Sequence, residues 1–307
     1  MYRSRSLAGR VREVTALDCL SLRVESGTVF GLLGPNGAGK TTTVRILSTL
    51  LVPTSGSARV FGHDVVRETR AVRDVIGLAI GGDRGFYNRI TGRQNLNYFA
   101  ALSGLSRRDA KRRLVDVLEL VHLSERADEP VQGYSRGMRQ RLHLARALVT
   151  EPRVLFLDEP TLGIDPVMAQ EFRRLVPELA RRGMTVLVTT HYMLEADEIC
   201  DRIAIINHGR LVAEGTPAEI KRDFGAATVT EATLRRDAPG LLDAVSALPG
   251  VEFAELVPDG VFLKLRVFSS NGGSPLARMQ EIAGEANLEG VLQRERTLEE
   301  AYIAILR

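Results

Sequence analysis

Cysteine is scarce in this 307-residue chain, with only Cys19 and Cys200 present, far apart and without a second Cys or His at metal-ligand spacing. That excludes a disulfide framework or a zinc site and fits a reducing compartment. Long apolar runs are missing too. The longest, such as 154–157, fall far short of the roughly 18 residues that a spanning helix needs, so no intrinsic transmembrane segment is expected. No apolar stretch follows the basic residues of 1–10, so no leader is expected either. Low-complexity tracts are absent. Charge of one sign is barely in excess: 41 Lys and Arg against 38 Asp and Glu leave +3 and a pI near 9.0. Such a mild bias is not the footprint of a nucleic-acid-binding face, and no nucleic-acid partner is expected. What remains, 44% hydrophobic and 26% charged residues, is the composition of a folded globular protein. The length predicts about two domains.

The first 220 or so residues alternate short apolar runs with helical patterns, which predicts an α/β core. The runs at 154–157 and 184–188 are continuous rather than alternating, as in parallel strands covered on both faces. A helix is predicted over 166–182, capped by Asp165, opened by Pro166 and stopped by Gly183, with Pro177 kinking it or ending it early. Strand signals vanish over about 92–150, which reads as a helical insertion. Within it, Ser106 and Asp109 open one amphipathic helix and Ser135 opens another. After the strand and turn of 203–214 the composition shifts near Phe224 and Gly225, so the domains are set at 1–222 and 223–307. The second reads strand 228–235, helix 239–248, strand 251–256, a turn at Pro258-Asp259-Gly260, strand 261–267, helix 275–286, strand 288–295 and helix 298–306. That order is a small α+β domain built on a split β-α-β motif, its last helix capped by Thr297 and Glu300.

Gly34-Pro35-Asn36-Gly37-Ala38-Gly39-Lys40-Thr41 follows an apolar run and precedes a helical stretch, 42–51, which is the setting of a P-loop. Its backbone N–H groups and the positive helix end suit phosphate oxygens. Lys40 is expected at the β- and γ-phosphates, Thr41 on Mg2+ and Thr42 on phosphate. Asp158 and Glu159 end a buried strand, where open α/β sheets place their ligands. Asp158 fits a Mg2+-holding role, and Glu159 is positioned to orient or deprotonate an attacking water.

With these motifs, and with Tyr134-Ser135-Arg136-Gly137-Met138-Arg139-Gln140-Arg141 between them, residues 7 to 220 resemble an ABC-transporter nucleotide-binding subunit. The resemblance implies that Ser135, Arg136 and Gly137 form a signature that meets the γ-phosphate of ATP bound to an opposing subunit, in a head-to-tail homodimer. It also implies that 162–165 form the loop crossing that interface and that His191 is a switch histidine contacting the γ-phosphate. Lys40, Glu159 and His191 are then the catalytic set, Thr41 and Asp158 the metal ligands, and ATP and Mg2+ the cofactors. The Tyr-Ser-Arg-Gly-Met signature, the run Asp158-Glu159-Pro160-Thr161-Leu162-Gly163-Ile164-Asp165-Pro166 and the small tail resemble the daunorubicin-resistance type. That resemblance implies an ABC-2-type membrane permease as partner, on the cytoplasmic face of the cell membrane. Expected, then, is an ATPase that drives export through a separate chain. A soluble ABC ATPase acting on ribosomes or DNA, and a weakly hydrolysing regulatory subunit, are the alternatives.

Three positions depart from the family pattern. Val11 stands where an adenine-stacking aromatic is usual, shortly before Ala16-Leu17 in what is read as the first strand. Gly81 or Gly82 replaces the glutamine that senses Mg2+ and the permease, and Asp83 is the proposed substitute. Arg136 replaces a glycine, either as a solvated surface charge or as an extra phosphate contact across the dimer.

Overall fold

The computed structural model describes residues 2–5, 11–80, 85–224, 228–234, 240–269, 275–283 and 288–306. They divide into two compact units, 1–214 and 215–307. The division falls eight residues before the break expected from composition, because the helix Pro217–Asp223 belongs with the tail. Capped by Thr216 and Glu219, it joins the final helix Leu298–Leu306. Arg296 secures that join by donating to Phe224 O at 2.8 Å.

The first unit is built on a six-stranded sheet. Its order is Arg210–Gly215, Arg202–Asn207, Val29–Leu33, Thr185–Thr190, Val154–Asp158, Ile76–Ile80. The five strands from Arg202–Asn207 to Ile76–Ile80 run parallel. Every residue of Val29–Leu33, Val154–Asp158 and Thr185–Thr190 is buried, as continuous apolar runs require of strands covered on both faces. Phe30, Leu32, Val44, Phe156 and Leu187 form the centre of the core beneath the sheet.

The insertion is helical as expected: Gly92–Leu102, Arg107–Leu120 and Arg136–Leu148, joined by two short 3-10 turns. Thr91, Ser106 and Ser135 each cap a helix by accepting from the backbone N–H three residues on. Ala110, Leu114, Val117 and Leu118 line the buried face of the second helix.

Several local expectations are corrected. Ala16 and Leu17 are not in a strand but in an irregular segment after the strand Val11–Val14. The helix after the P-loop is Lys40–Leu47, not 42–51. Beyond it Thr49 takes φ +63 and the N–H groups of Leu50 and Leu51 fold back onto Arg45 O. Pro177 does not end its helix, which runs from Pro166 to Arg181. Phe172 and Val176 before it and Leu179 and Ala180 after it are buried on one face, and that burial outweighs the lost hydrogen bond.

The second unit carries a four-stranded antiparallel sheet in the order Val251–Asp259, Phe262–Ser269, Thr228–Leu234, Leu288–Glu295. With helices Leu241–Ser246 and Leu276–Ala283 as crossovers, this is the expected β-α-β-β-α-β arrangement. Leu241, Val245, Leu265, Val267 and Met279 fill its core. The turn expected at Pro258 lies further on. Pro258 is still paired, with Leu263, and the chain reverses at Gly260 and Val261. Proline is tolerated there because this is the edge strand.

Candidate functional site

Four C-terminal strand ends and one helix start converge in the first unit. Strand Val29–Leu33 leads into the glycine-rich loop, and Gly39, at φ +111, is the N-cap of Lys40–Leu47. A side chain at Gly39 would meet Leu17 Cδ2 at 2.6 Å and Ala16 O at 2.7 Å, so only glycine fits both the conformation and the space. The loop is braced by Ala38 N donating to Pro35 O at 3.1 Å and Gly209 N donating to Ala38 O at 2.9 Å. That leaves the first-turn N–H groups, which have no intrahelical acceptor, at the mouth of the loop.

The Lys40 ammonium is buried. It donates to Gly34 O at 2.6 Å and Pro35 O at 3.3 Å, and lies 3.3 Å from Glu159 Oε1. Glu159 Oε2 meets His191 Nδ1 at 2.7 Å. The result is one continuous chain, ammonium to carboxylate to imidazole. The His191 ring also lies against Tyr192, with centroids 4.1 Å apart.

Asp158 and Glu159 follow one another but face different partners. Thr41 Oγ1 and Thr189 Oγ1 both donate to Asp158 Oδ1, at 3.2 and 2.6 Å. Glu159 adopts φ +49, a left-handed conformation that costs a non-glycine residue about 1 kcal/mol or more. Its N–H is held by Thr189 O and Thr189 Oγ1, both at 3.1 Å. Thr189, paired with Asp158 across adjacent parallel strands, therefore orients both acids. Sequence reading did not single it out. A threonine in a buried strand is an ordinary β-former, and only strand register brings it opposite Asp158.

The residues Lys40, Thr41, Asp158, Glu159 and His191 are thus brought together. Ser135, Arg136 and Gly137 stand elsewhere in the unit. Ser135 caps its helix through Met138 N at 3.2 Å. Gly137 faces Met168, and the Arg136 guanidinium occupies the space beside Gly163, at φ +71, in the loop after Glu159. Arg136 is exposed, as a solvated surface charge is, and its guanidinium lies beside its own chain's 162–165 loop. Along the same helix, Arg141 pairs with Glu171. Val11 opens the strand Val11–Val14. Gly81, Gly82 and Asp83, on which the glutamine substitution turns, lie outside the described residues.

This arrangement can bind a triphosphate, hold a carboxylate beside it and steer that carboxylate with a histidine. The profile of the ABC transporter family matches residues 17–162. The chain is 49% identical over 240 residues to the daunorubicin resistance ATP-binding protein DrrA3 of Streptomyces coeruleorubidus, covering 78% of this chain and 75% of that one. It is 39% identical over 298 residues to the doxorubicin resistance ATP-binding protein DrrA of Mycobacterium tuberculosis, covering 95% and 89%. Among solved structures it is similar to an ATP-binding subunit of an ABC transporter, with TM-score 0.62 and 29% identity over 68% of this chain and 87% of that one. With its P-loop and acidic strand end in one parallel sheet, the chain belongs to the ABC transporter ATP-binding family, daunorubicin-resistance type, and is an ATPase.

Proposed function

We propose that this chain is the ATP-hydrolysing subunit of an ABC exporter, acting as a head-to-tail homodimer on the cytoplasmic face of the membrane and driving an ABC-2-type permease. The observation that carries the reading is the Lys40, Glu159, His191 chain at the mouth of the glycine-rich loop. The names of the resistance relatives support the coupling to export. Among the described residues no helix is long and apolar enough to cross a membrane, so the pore is assigned to a separate chain.

In this reading Gly34, Pro35, Asn36, Gly37, Ala38 and Gly39 wrap the phosphates with their backbone, and Thr42 adds a hydroxyl. Lys40 exchanges its contacts with Gly34 O and Pro35 O for phosphate oxygens. Glu159 orients the attacking water and takes its proton, and His191 holds the Glu159 carboxylate in place. Thr41 and Asp158 fit Mg2+. Their oxygens adjoin, at 3.2 Å. That donor set suits an ion that keeps waters and takes the rest of its shell from phosphate. When bound, Mg2+ supplies positive charge to the phosphates. Ser135 and Gly137 close on the ATP of the opposing subunit with a helix N-terminus. Arg136, seated on Gly163, couples that signature to the neighbouring loop.

Two measurements test the proposal. The Glu159→Gln chain should sediment as a dimer with ATP and Mg2+ and as a monomer with ADP. The wild-type chain, tagged, should copurify from membranes with a polytopic permease. A monomer under both nucleotides would overturn the dimer, and recovery with ribosomes or DNA instead would overturn the exporter assignment.

A further inference from the structure

The first unit also buries a carboxyl group outside the Lys40, Glu159, His191 chain. Glu195, in the first turn of the helix Met193–Ile199, is only 2% exposed. Its Oε2 accepts from Thr161 Oγ1 at 3.2 Å, while Oε1 has no hydrogen-bond partner among the described residues. Burial pushes its pKa up. The Thr190 and Thr161 hydroxyls pull it back in part, the Glu159 charge raises it again and Arg173 lowers it, and the net direction is upward.

The two hydroxyls stand at telling places in the chain. Thr161 follows Glu159 by two residues, in the turn closed by Leu162 N donating to Glu159 O at 3.2 Å. Thr190 immediately precedes His191, and its Oγ1 accepts from Tyr192 N at 3.0 Å. Both threonines are buried, Thr190 completely. Glu195 therefore lies between the two segments whose side chains meet at the 2.7 Å contact of Glu159 with His191. Glu159 needs such bracing because its φ of +49 would relax if the turn after it were free.

We propose that Glu195 is a positioning residue, which fixes the Glu159–His191 pair by bonding Thr161, two residues after Glu159, from the helix that begins two residues after His191. The inference rests on Glu159 being the carboxylate of hydrolysis, as proposed above. A loose support would misplace that carboxylate by a fraction of an ångström, which lowers turnover while leaving nucleotide binding to the P-loop intact.

The test is steady-state ATPase kinetics of the full chain carrying Glu195→Gln, Glu195→Leu, Thr161→Val or Glu159→Gln, each with its melting temperature. The amide oxygen introduced by Glu195→Gln can accept the same bond, so this variant should keep kcat within about twofold. Glu195→Leu fills the volume without an acceptor and should lower kcat about tenfold or more, with KM for ATP changed less than about threefold. Thr161→Val should do the same, and the double variant Glu195→Leu with Thr161→Val should be no worse than either alone. If Glu195→Leu fails to fold, Thr161→Val carries the test. Wild-type kcat in Thr161→Val, or a loss confined to KM, while Glu159→Gln is inactive, would overturn the positioning role alone. Wild-type turnover in Glu159→Gln would instead overturn the assignment beneath it.

Discussion

Glu159 Oε2 and His191 Nδ1 lie 2.7 Å apart although 32 residues separate them in the chain. Their strands are neighbours in the parallel sheet, in a register that pairs Asp158 with Thr189, so both side chains emerge at the same sheet end. The same carboxylate lies 3.3 Å from Lys40, which joins the phosphate loop to the acid–histidine pair.

Thr189 is the pivot of that arrangement, because its single hydroxyl donates to Asp158 and accepts from Glu159 N. Thr189→Val should lower ATPase turnover about ten- to a hundredfold, the size of a lost hydrogen bond to a charged group. Thr189→Ser should recover most of it. Steady-state ATPase rates of the two variants check this, and equal losses in both would show that the hydroxyl is not what matters.

Gly163 and Arg136 form a steric pair. A side chain at Gly163 would overlap the Arg136 guanidinium and would also be strained at φ +71. Gly163→Ala should therefore lower the melting temperature. Adding Arg136→Ala, which keeps the helix and removes the guanidinium, should restore only the part due to overlap and leave the roughly 1 kcal/mol of backbone strain. Thermal melts of the two single variants and the double check the coupling.

In the second unit, Arg294 bonds both oxygens of Glu300, at 2.6 and 2.9 Å, and Thr297 N donates to the same carboxylate at 2.8 Å. Burial alone would raise the Glu300 pKa, but these bonds prevail and hold it below the ordinary glutamate value. A lowered acid pKa contributes stability that is full above the ordinary value, about 4.3, and is lost as pH falls through the lowered one. Glu300→Gln should thus melt below wild type at neutral pH, and the gap should close in acid. Melting curves across that range check the sign.

Pro177 offers a test of the helix that ignores it. Pro177→Ala restores an N–H to a helix already continuous from Pro166 to Arg181. It should stabilise the chain by about 1 to 3 kcal/mol, measured by denaturant unfolding.

Much of the fold was legible because hydrophobic period is a local property. The uninterrupted run ending at Asp158, the stripe of Ala110, Leu114 and Val117, and the strand–helix alternation of the tail each announce their element. Pro177 and Pro258 misled for one reason: local preference is overruled by burial in the first case and by an edge position in the second. Of the residues that the structure brings together, Lys40, Asp158 and Glu159 were expected from motif spacing. Thr189 and Glu195 were not, since a strand threonine and a helical glutamate look ordinary until register and burial place them beside Asp158 and Thr161. The packing of Arg136 on Gly163 likewise joins residues that no spacing rule connects.

The most direct test of the whole account is ATP hydrolysis by the full chain compared with Glu159→Gln, with ATP binding measured in parallel. The variant is expected to bind ATP as wild type does and to hydrolyse it at least about a hundredfold more slowly. Equal hydrolysis by the two chains would contradict it.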